Sequence, residues 1–151
     1  MEELFKKALK FVLKWEGGYV NNPYDKGGAT NYGITQYTYT NWLKSFGLPF
    51  KDVKTISKNE VEQIYYTNYW LKAGCEKMSP QFAVLAFDTA VNMGLARVNQ
   101  FLKAADWKYP EKFIEARKKK YEEFAKYGKQ KIFLKGWLNR LKDLKIFATS
   151  L

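Results

Sequence analysis

One carboxylate near the N-terminus, Glu16, lies where a side chain could act as an acid. It continues an apolar series that recurs at four-residue steps from Leu4 through Val12, and two glycines, Gly17 and Gly18, follow it. This pattern predicts an amphipathic helix that ends at the glycines, with Glu16 on its apolar face in the last turn. Burial and the negative end of the helix dipole both disfavour a charged carboxylate. We therefore expect Glu16 to carry a proton near neutral pH.

A protonated carboxyl group can donate its proton to a leaving oxygen, which is the step that glycoside hydrolysis requires. The alternative interpretation is that Glu16 only pairs with a nearby Lys or Arg, because structural ion pairs are common at helix ends. The glycine-rich segment that follows contains Asp25 and Thr30. A carboxylate and a hydroxyl on a turn can hold a water molecule, but they can equally satisfy local backbone amides. These residues alone leave both interpretations open.

The absence of histidine excludes several kinds of catalysis. The chain has no His and a single cysteine, Cys75. Ser-His-Asp and Cys-His mechanisms are therefore excluded, and no His/Cys cluster remains for zinc. We expect neither a metal nor another cofactor, and we interpret Cys75 as a small buried apolar residue.

The charge balance indicates an anionic partner. Lys and Arg number 26 against 15 Asp and Glu, which gives a formal net charge of +11. Such a protein is attracted to nucleic acid, anionic cell-wall polymers and membrane lipid alike, so charge does not choose among them. Glu2 and Glu3 lie where a secretory signal needs positive charge. We expect synthesis in the cytoplasm without a signal peptide.

The elements that would position Glu16 are mostly helical. At 151 residues the chain is about one domain long, and its periodicity predicts a mainly α bundle around a central buried helix, with a small polar β-hairpin near the N-terminus. Thr35 and Ser57 are predicted helix caps, Ser57 through a capping box with Glu60. The predicted segments are the hairpin within 19–35, a helix opened by Ser57 that carries Tyr69, the central helix from Pro80 to Leu102, and helices at about 111–127 and 133–147.

Five sequence motifs resemble a known family. The stretch "WEGGYVNNPYDKGGATNYGIT", which ends at Thr35, resembles the opening motif of glycoside hydrolase family 108, lysozyme-like muramidases common among phage endolysins. "YYTNYW" and "FDTAVNMG" are similar to later motifs of that family. "RKKKY" and "FLKGWLNRL" resemble the peptidoglycan-associated C-terminal half that usually accompanies it. The resemblance extends over residues 5–145.

This resemblance implies a single lysozyme-like domain over 1–151, with a catalytic half at 1–94 and a peptidoglycan-associated half at 95–151. It implies hydrolysis of the β-1,4 bond between N-acetylmuramic acid and N-acetylglucosamine in bacterial peptidoglycan, by an endolysin that reaches the cell wall after release. Glu16 would be the general acid, and Asp25 and Thr30 would position water. We expect a single displacement with inversion, because a hydroxyl beside a carboxylate suits the orientation of water.

Further residues are candidates for binding the glycan. Asp88 and Asn92 form a polar stripe on the central helix, and they either bond across the core or face the cleft. Aromatic rings can stack on sugar faces. The aromatic candidates are Tyr19, Tyr32, Trp70 and Trp137.

Two rival functions fit the same composition. A non-catalytic basic module would bind cell wall or nucleic acid, and the basic helix "KGWLNRLKDLKIF" could disrupt membranes. The local chemistry around Glu16 favours the enzyme. We expect a monomer that acts on peptidoglycan, is drawn to anionic cell-wall or outer-membrane surfaces, and has no nucleic-acid partner.

Overall fold

The structure is a computed structural model that describes residues 2–21, 23 and 28–151. Within these ranges it has seven α-helices and one two-stranded antiparallel sheet, which confirms the mainly α, lysozyme-like fold class. The helices are α1 Glu2–Glu16, α2 Gln36–Ser45, α3 Lys58–Tyr65, α4 Pro80–Met93, α5 Leu95–Ala104, α6 Pro110–Phe124 and α7 Leu134–Thr149, and the strands are β1 Thr30–Asn31 and β2 Ile34–Thr35. Shorter helical turns are Val53–Thr55, Cys75–Lys77 and Gly128–Phe133, and a π-helical turn spans Tyr66–Leu71.

The predicted helix starts are confirmed. The Thr35 side chain accepts a hydrogen bond from the Thr38 amide, and it caps α2. Ser57 and Glu60 each accept from the other's backbone amide, as a capping box requires, and α3 begins after Ser57. These local contacts set the first residues of α2, directly after the hairpin, and of α3.

The hairpin is tight because its turn has two residues in the left-handed region. Tyr32 and Gly33 have φ angles of 52° and 75°, the combination of a primed turn that suits the twist of paired strands. Thr30 pairs with Thr35 across the two strands, and it also bridges to Val20. The hairpin is thereby tied to the segment that follows α1.

α4 is the central helix, and α1, α5, α6 and α7 all contact it. It is buried along its whole middle, from Phe82 to Ala90. The predicted single helix from Pro80 to Leu102 is wrong in one respect, since the chain breaks at Gly94, where φ is 94° and ψ is 163°. That backbone conformation is open to glycine and strained for other residues, so α4 and α5 are separate helices.

Trp70 is a core residue, which corrects its prediction as a sugar-stacking side chain. Its side chain is fully buried, and its ring packs edge-on against Phe5 at 5.4 Å and Phe87 at 5.4 Å. A ring enclosed in this way has no face to offer a substrate. Cys75 is also buried, as predicted, and burial raises the pKa of its thiol to about 12.

The C-terminal helix packs directly on the helix that carries Glu16. Asp143 of α7 accepts a hydrogen bond from the indole Nε1 of Trp15 at 2.9 Å and pairs with Lys14 Nζ at 2.5 Å. Both partners lie in the last turn of α1, so α7 fixes the end of that helix. In the described part of the chain, no helix is both long enough and apolar enough to cross a membrane.

Candidate active site

Glu16 is the last residue of α1, and its carboxylate is held by an arginine from the far end of the chain. Its Oε1 accepts a hydrogen bond from Arg140 Nη1 at 3.0 Å. Within the described residues its Oε2 makes no hydrogen bond, and 21% of the side chain is exposed. The ion pair that the sequence left open as an alternative is therefore present. The pair engages one oxygen, and no other described residue engages the second.

Arg140 belongs to a buried cluster of charges centred on Asp88. The Asp88 carboxylate accepts from Arg140 Nη2 at 2.8 Å and from Arg140 Nε at 3.1 and 3.2 Å. It also pairs with Arg117 Nη2 at 2.8 Å. Two guanidinium groups thus share one buried carboxylate, and Glu16 supplies the second negative charge. The four groups are formally neutral together.

The remaining donors of Arg117 are also satisfied. Its Nη1 donates to the Thr89 hydroxyl at 2.9 Å, and its Nε donates to the Tyr121 hydroxyl at 3.0 Å. The Tyr121 hydroxyl in turn donates to Asn92 Oδ1. This network locks α4, α6 and α7 together, because buried polar groups are costly unless every one has a partner.

The electrostatics of the cluster keep Arg140 charged. Burial alone would lower the pKa of Arg140, but the neighbouring carboxylates of Asp88 and Glu16 outweigh it and raise that pKa above its ordinary value. Burial, followed by the charge of Glu16, also raises the pKa values of Tyr65 and Tyr69. Both tyrosines therefore lie close enough to Glu16 to experience its charge and remain neutral hydrogen-bonding groups.

The hairpin turn closes over the Glu16 side chain. A Cβ atom added at Gly33 would lie 3.0 Å from Glu16 Cβ, 3.1 Å from its Cγ and 2.6 Å from the Tyr65 hydroxyl. Tyr65 anchors the same turn by donating to the Tyr32 carbonyl at 2.6 Å. Only glycine fits this contact. Thr30 is half-buried on the first strand of the same hairpin, so it belongs to the element that contacts Glu16.

The other predicted residues are distributed over several places. Asp25 lies outside the described residues. Tyr19 is partly exposed, with Lys54 Nζ 5.5 Å from its ring centre, and it follows α1 by three residues. Tyr32 lines a cavity of about 360 Å³ between α1 and α3. The roles of Tyr19 and Tyr32 in binding stay predictions.

Asn92 and Trp137 meet at one cavity, of about 290 Å³, between α4, α6 and α7. The Trp137 ring stacks on the Tyr121 ring, with 5.1 Å between the ring centres, and this contact fixes the orientation of Trp137. Both residues stay predictions as glycan contacts. Asp88 is a correction, because a buried carboxylate held by two arginines has no atom available for a substrate. Its core alternative is the correct interpretation.

Sequence reasoning missed Arg117, Arg140, Gly33 and Tyr65. Arg117 lies in the basic motif RKKKY, whose composition does not single out one buried residue, and Arg140 pairs with a residue 124 positions away. One usable signal was the spacing of Arg117 and Tyr121, which places them on the same helix face. Among the described residues, no group of three or more acidic or Cys side chains could hold a metal ion.

Glu16 is thus a half-buried glutamate at a helix end, beside a glycine-turned hairpin, in a mainly α, lysozyme-like fold. The glycosyl hydrolase 108 family model matches residues 9–94, and the chain belongs to that family. The fold is also similar to a solved structure of Brucella abortus SagA, with a TM-score of 0.78 and 26% identity over 99% of this chain and 96% of that one. No curated protein matches the sequence. Family membership supports a glycoside hydrolase with a lysozyme-like, peptidoglycan-hydrolysing function.

Proposed function

We propose that this protein is a muramidase that cleaves the β-1,4 bond between N-acetylmuramic acid and N-acetylglucosamine, with Glu16 as general acid. The observation that carries the proposal is the arrangement of the Glu16 carboxylate, which is anchored through one oxygen and makes no hydrogen bond with a described residue through the other. An anchored carboxyl group has a fixed direction for its proton. That is what a general acid must have toward a leaving oxygen.

The proton moves through Oε2 in this mechanism. Arg140 engages Oε1, so we assign proton donation to Oε2: the protonated form of Glu16 gives its proton to the glycosidic oxygen as the bond to the anomeric carbon breaks. The Glu16 carboxylate that results is stabilised by Arg140, whose charge the cluster maintains. Gly33 and Tyr65 restrict the side chain from the hairpin side, which limits the rotamers from which proton transfer can occur.

The water that completes hydrolysis is activated by Asp25 and held by Thr30. Thr30 lies on the hairpin whose turn contacts Glu16, which supports a place for it near the reacting bond. Single displacement needs a carboxylate separation of about 6.5–9.5 Å, whereas a double displacement needs about 5–5.5 Å. We assign single displacement, so a β-linked substrate gives an α product first. Proton NMR of early product, before mutarotation, distinguishes the two outcomes.

The whole chain acts as one unit in this proposal, as an endolysin made in a cytoplasm and active on the cell wall after release. α7 supports this, because Arg140 holds Glu16 and Asp143 ties down the end of α1. The basic surface favours accumulation at anionic cell wall. The protein acts as a monomer with no cofactor.

The product ends test the proposal. Purified peptidoglycan is digested, and the new reducing ends are identified by mass spectrometry after borohydride reduction. Reduced muramic acid supports the proposal. Reduced glucosamine would mean that the other glycosidic bond is cleaved, and free stem peptides would mean an amidase or peptidase. Absence of products, with binding to the sacculus retained, would favour a non-catalytic wall-binding module.

A further inference from the structure

A groove on the surface between α2 and the π-helical turn lies well away from Glu16. Two adjoining cavities form it, of about 430 and 400 Å³, and they share Trp42, Phe46 and Thr67 along their walls. The larger one reaches Phe5 in the first turn of α1. Because Phe5 and Glu16 are eleven positions apart on one helix, they are separated by roughly 16 Å along its axis. Among the described residues, neither cavity is lined by Glu16 or by its contacts Gly33 and Arg140, so the groove is distinct from the candidate active site.

The 400 Å³ cavity has a lining of unusual composition for so basic a protein. Of the described residues that line it, three are aromatic, five are uncharged polar residues, and none is charged. The adjoining 430 Å³ cavity adds two carboxylates, Glu2 and Glu62, and no described basic residue lines either cavity, so the groove does not match an anionic polymer or a phosphate. Mixed aromatic and neutral polar walls match a ligand with apolar faces and hydroxyl or amide edges.

The aromatic side chains of the groove are presented for stacking. Tyr37 is 72% exposed. Trp42 is half-buried, and its ring is supported by Tyr39 at 6.4 Å in a nearly parallel arrangement and by Phe46 at 5.0 Å. A supported indole and an exposed phenol ring can hold the apolar face of a sugar with little loss of side-chain freedom.

The polar side chains of the groove can hydrogen-bond to the hydroxyl and amide groups of a ligand. Neither Asn41 nor Asn68 forms a side-chain hydrogen bond with the described part of the protein, and both line the same cavity. A primary amide offers a donor and an acceptor together, which is the pair that an acetamido group needs. Thr67 adds a hydroxyl between the two cavities.

We propose that this groove is a second binding site, for a neutral glycan of N-acetylated sugars, remote from the point of hydrolysis. The identity of the glycan rests on the proposed function, since peptidoglycan strands consist of such sugars. When the groove binds one glycan strand, the protein stays close to the cell wall, and the effective concentration of further strands at Glu16 rises.

The test uses the full-length Glu16→Gln variant, which cannot consume the ligand, and triacetylchitotriose as the probe. In a 15N NMR titration, the backbone amides of 37–46 and 67–68 should shift at saturation, as a set separate from those around Gly33. Tyr37→Ala in the same background should weaken the Kd at the groove by about tenfold, the loss of one stacking surface. Tyr127→Ala is the matched control, because Tyr127 is 70% exposed and lies outside the groove.

Three outcomes would overturn the inference. They are shifts confined to the surroundings of Glu16, equal affinities for the Tyr37→Ala and Tyr127→Ala proteins, and groove shifts caused by phosphatidylglycerol vesicles but not by the sugar. The proposed function fails separately, when the wild-type protein releases no muramic acid ends from peptidoglycan. Cleavage without groove binding refutes only the second site.

Discussion

Replacing Asp88 with Asn should destabilise the protein far more than the same change at Glu16. Asp88 is the only carboxylate shared by Arg117 and Arg140 among the described residues, with N···O distances of 2.8 Å to each. Asparagine keeps the shape but removes the charge, so two buried guanidinium groups are left with the partly exposed Glu16 as counter-ion. Removing one partner of a buried ion pair costs about 3–5 kcal/mol. For a domain of this size that lowers Tm by roughly 6–20 °C.

Glu16→Gln is the matched control for this prediction. It is also a carboxylate-to-amide change beside Arg140, but 21% of the Glu16 side chain is exposed and both arginines keep their ion pair with Asp88. We expect a loss of at most about 1 kcal/mol, as for ion pairs that water can reach. Urea unfolding at pH 7, followed by tryptophan fluorescence, gives both free energies. If the two variants differ by less than about 1 kcal/mol, the account of the buried cluster is refuted.

Three further predictions follow from local geometry. Gly33→Ala should lower the hydrolysis rate at least about tenfold, because the added methyl group would lie 3.0 Å from Glu16 Cβ. Gly47→Ala is the control: Gly47 also has a positive φ, of +67°, but open space surrounds it, so this change should reduce stability without reducing the rate. Burial and the neighbouring carboxylate of Glu60 raise the pKa of Tyr39 to about 12 in the folded protein. The unfolded chain therefore loses the Tyr39 proton first, so the stability that the neutral Tyr39 contributes is present below pH 10 and is lost as the pH rises toward 12. The difference in unfolding free energy between wild type and Tyr39→Phe should therefore shrink by roughly 2–3 kcal/mol between pH 9 and pH 12. A fragment 1–103 should be insoluble or inactive, because it exposes the apolar surface of α4 and lacks α7, whose Arg140 holds the Glu16 carboxylate. A soluble, cooperative, active fragment would contradict this.

Local sequence signals predicted the elements well. The capping residues Thr35 and Ser57 act through contacts within three positions, and their helices begin where expected. The break at Gly94 was missed because a glycine within an apolar pattern is compatible with a continuous helix as well as with a stop. Trp70 was assigned to the wrong environment, since periodicity shows which face is apolar but not what covers it.

Of the candidate site, only the position of Glu16 was predictable from the sequence. The helix end and the apolar face place Glu16 from sequence alone. Arg140 binds Glu16, which is 124 positions away in the sequence, and Asp88, which is 52 positions away. No local sequence pattern predicts contacts at such separations. The close approach of Gly33 is likewise a property of the folded hairpin on α1 and α3.

The rate of peptidoglycan hydrolysis by Glu16→Gln tests the central claim most directly. Wild type, Glu16→Gln and Glu123→Gln are compared by new reducing ends released per minute from purified sacculi, at matched circular dichroism. Glu123 is a suitable control, because it is also an ion-paired glutamate, with Lys120 Nζ at 3.0 Å, but it lies on α6 and its partner is on the same helix. Loss of a general acid should reduce the rate of Glu16→Gln by about 10²–10⁴-fold while Glu123→Gln stays near wild type. A folded Glu16→Gln protein with wild-type activity would contradict the account.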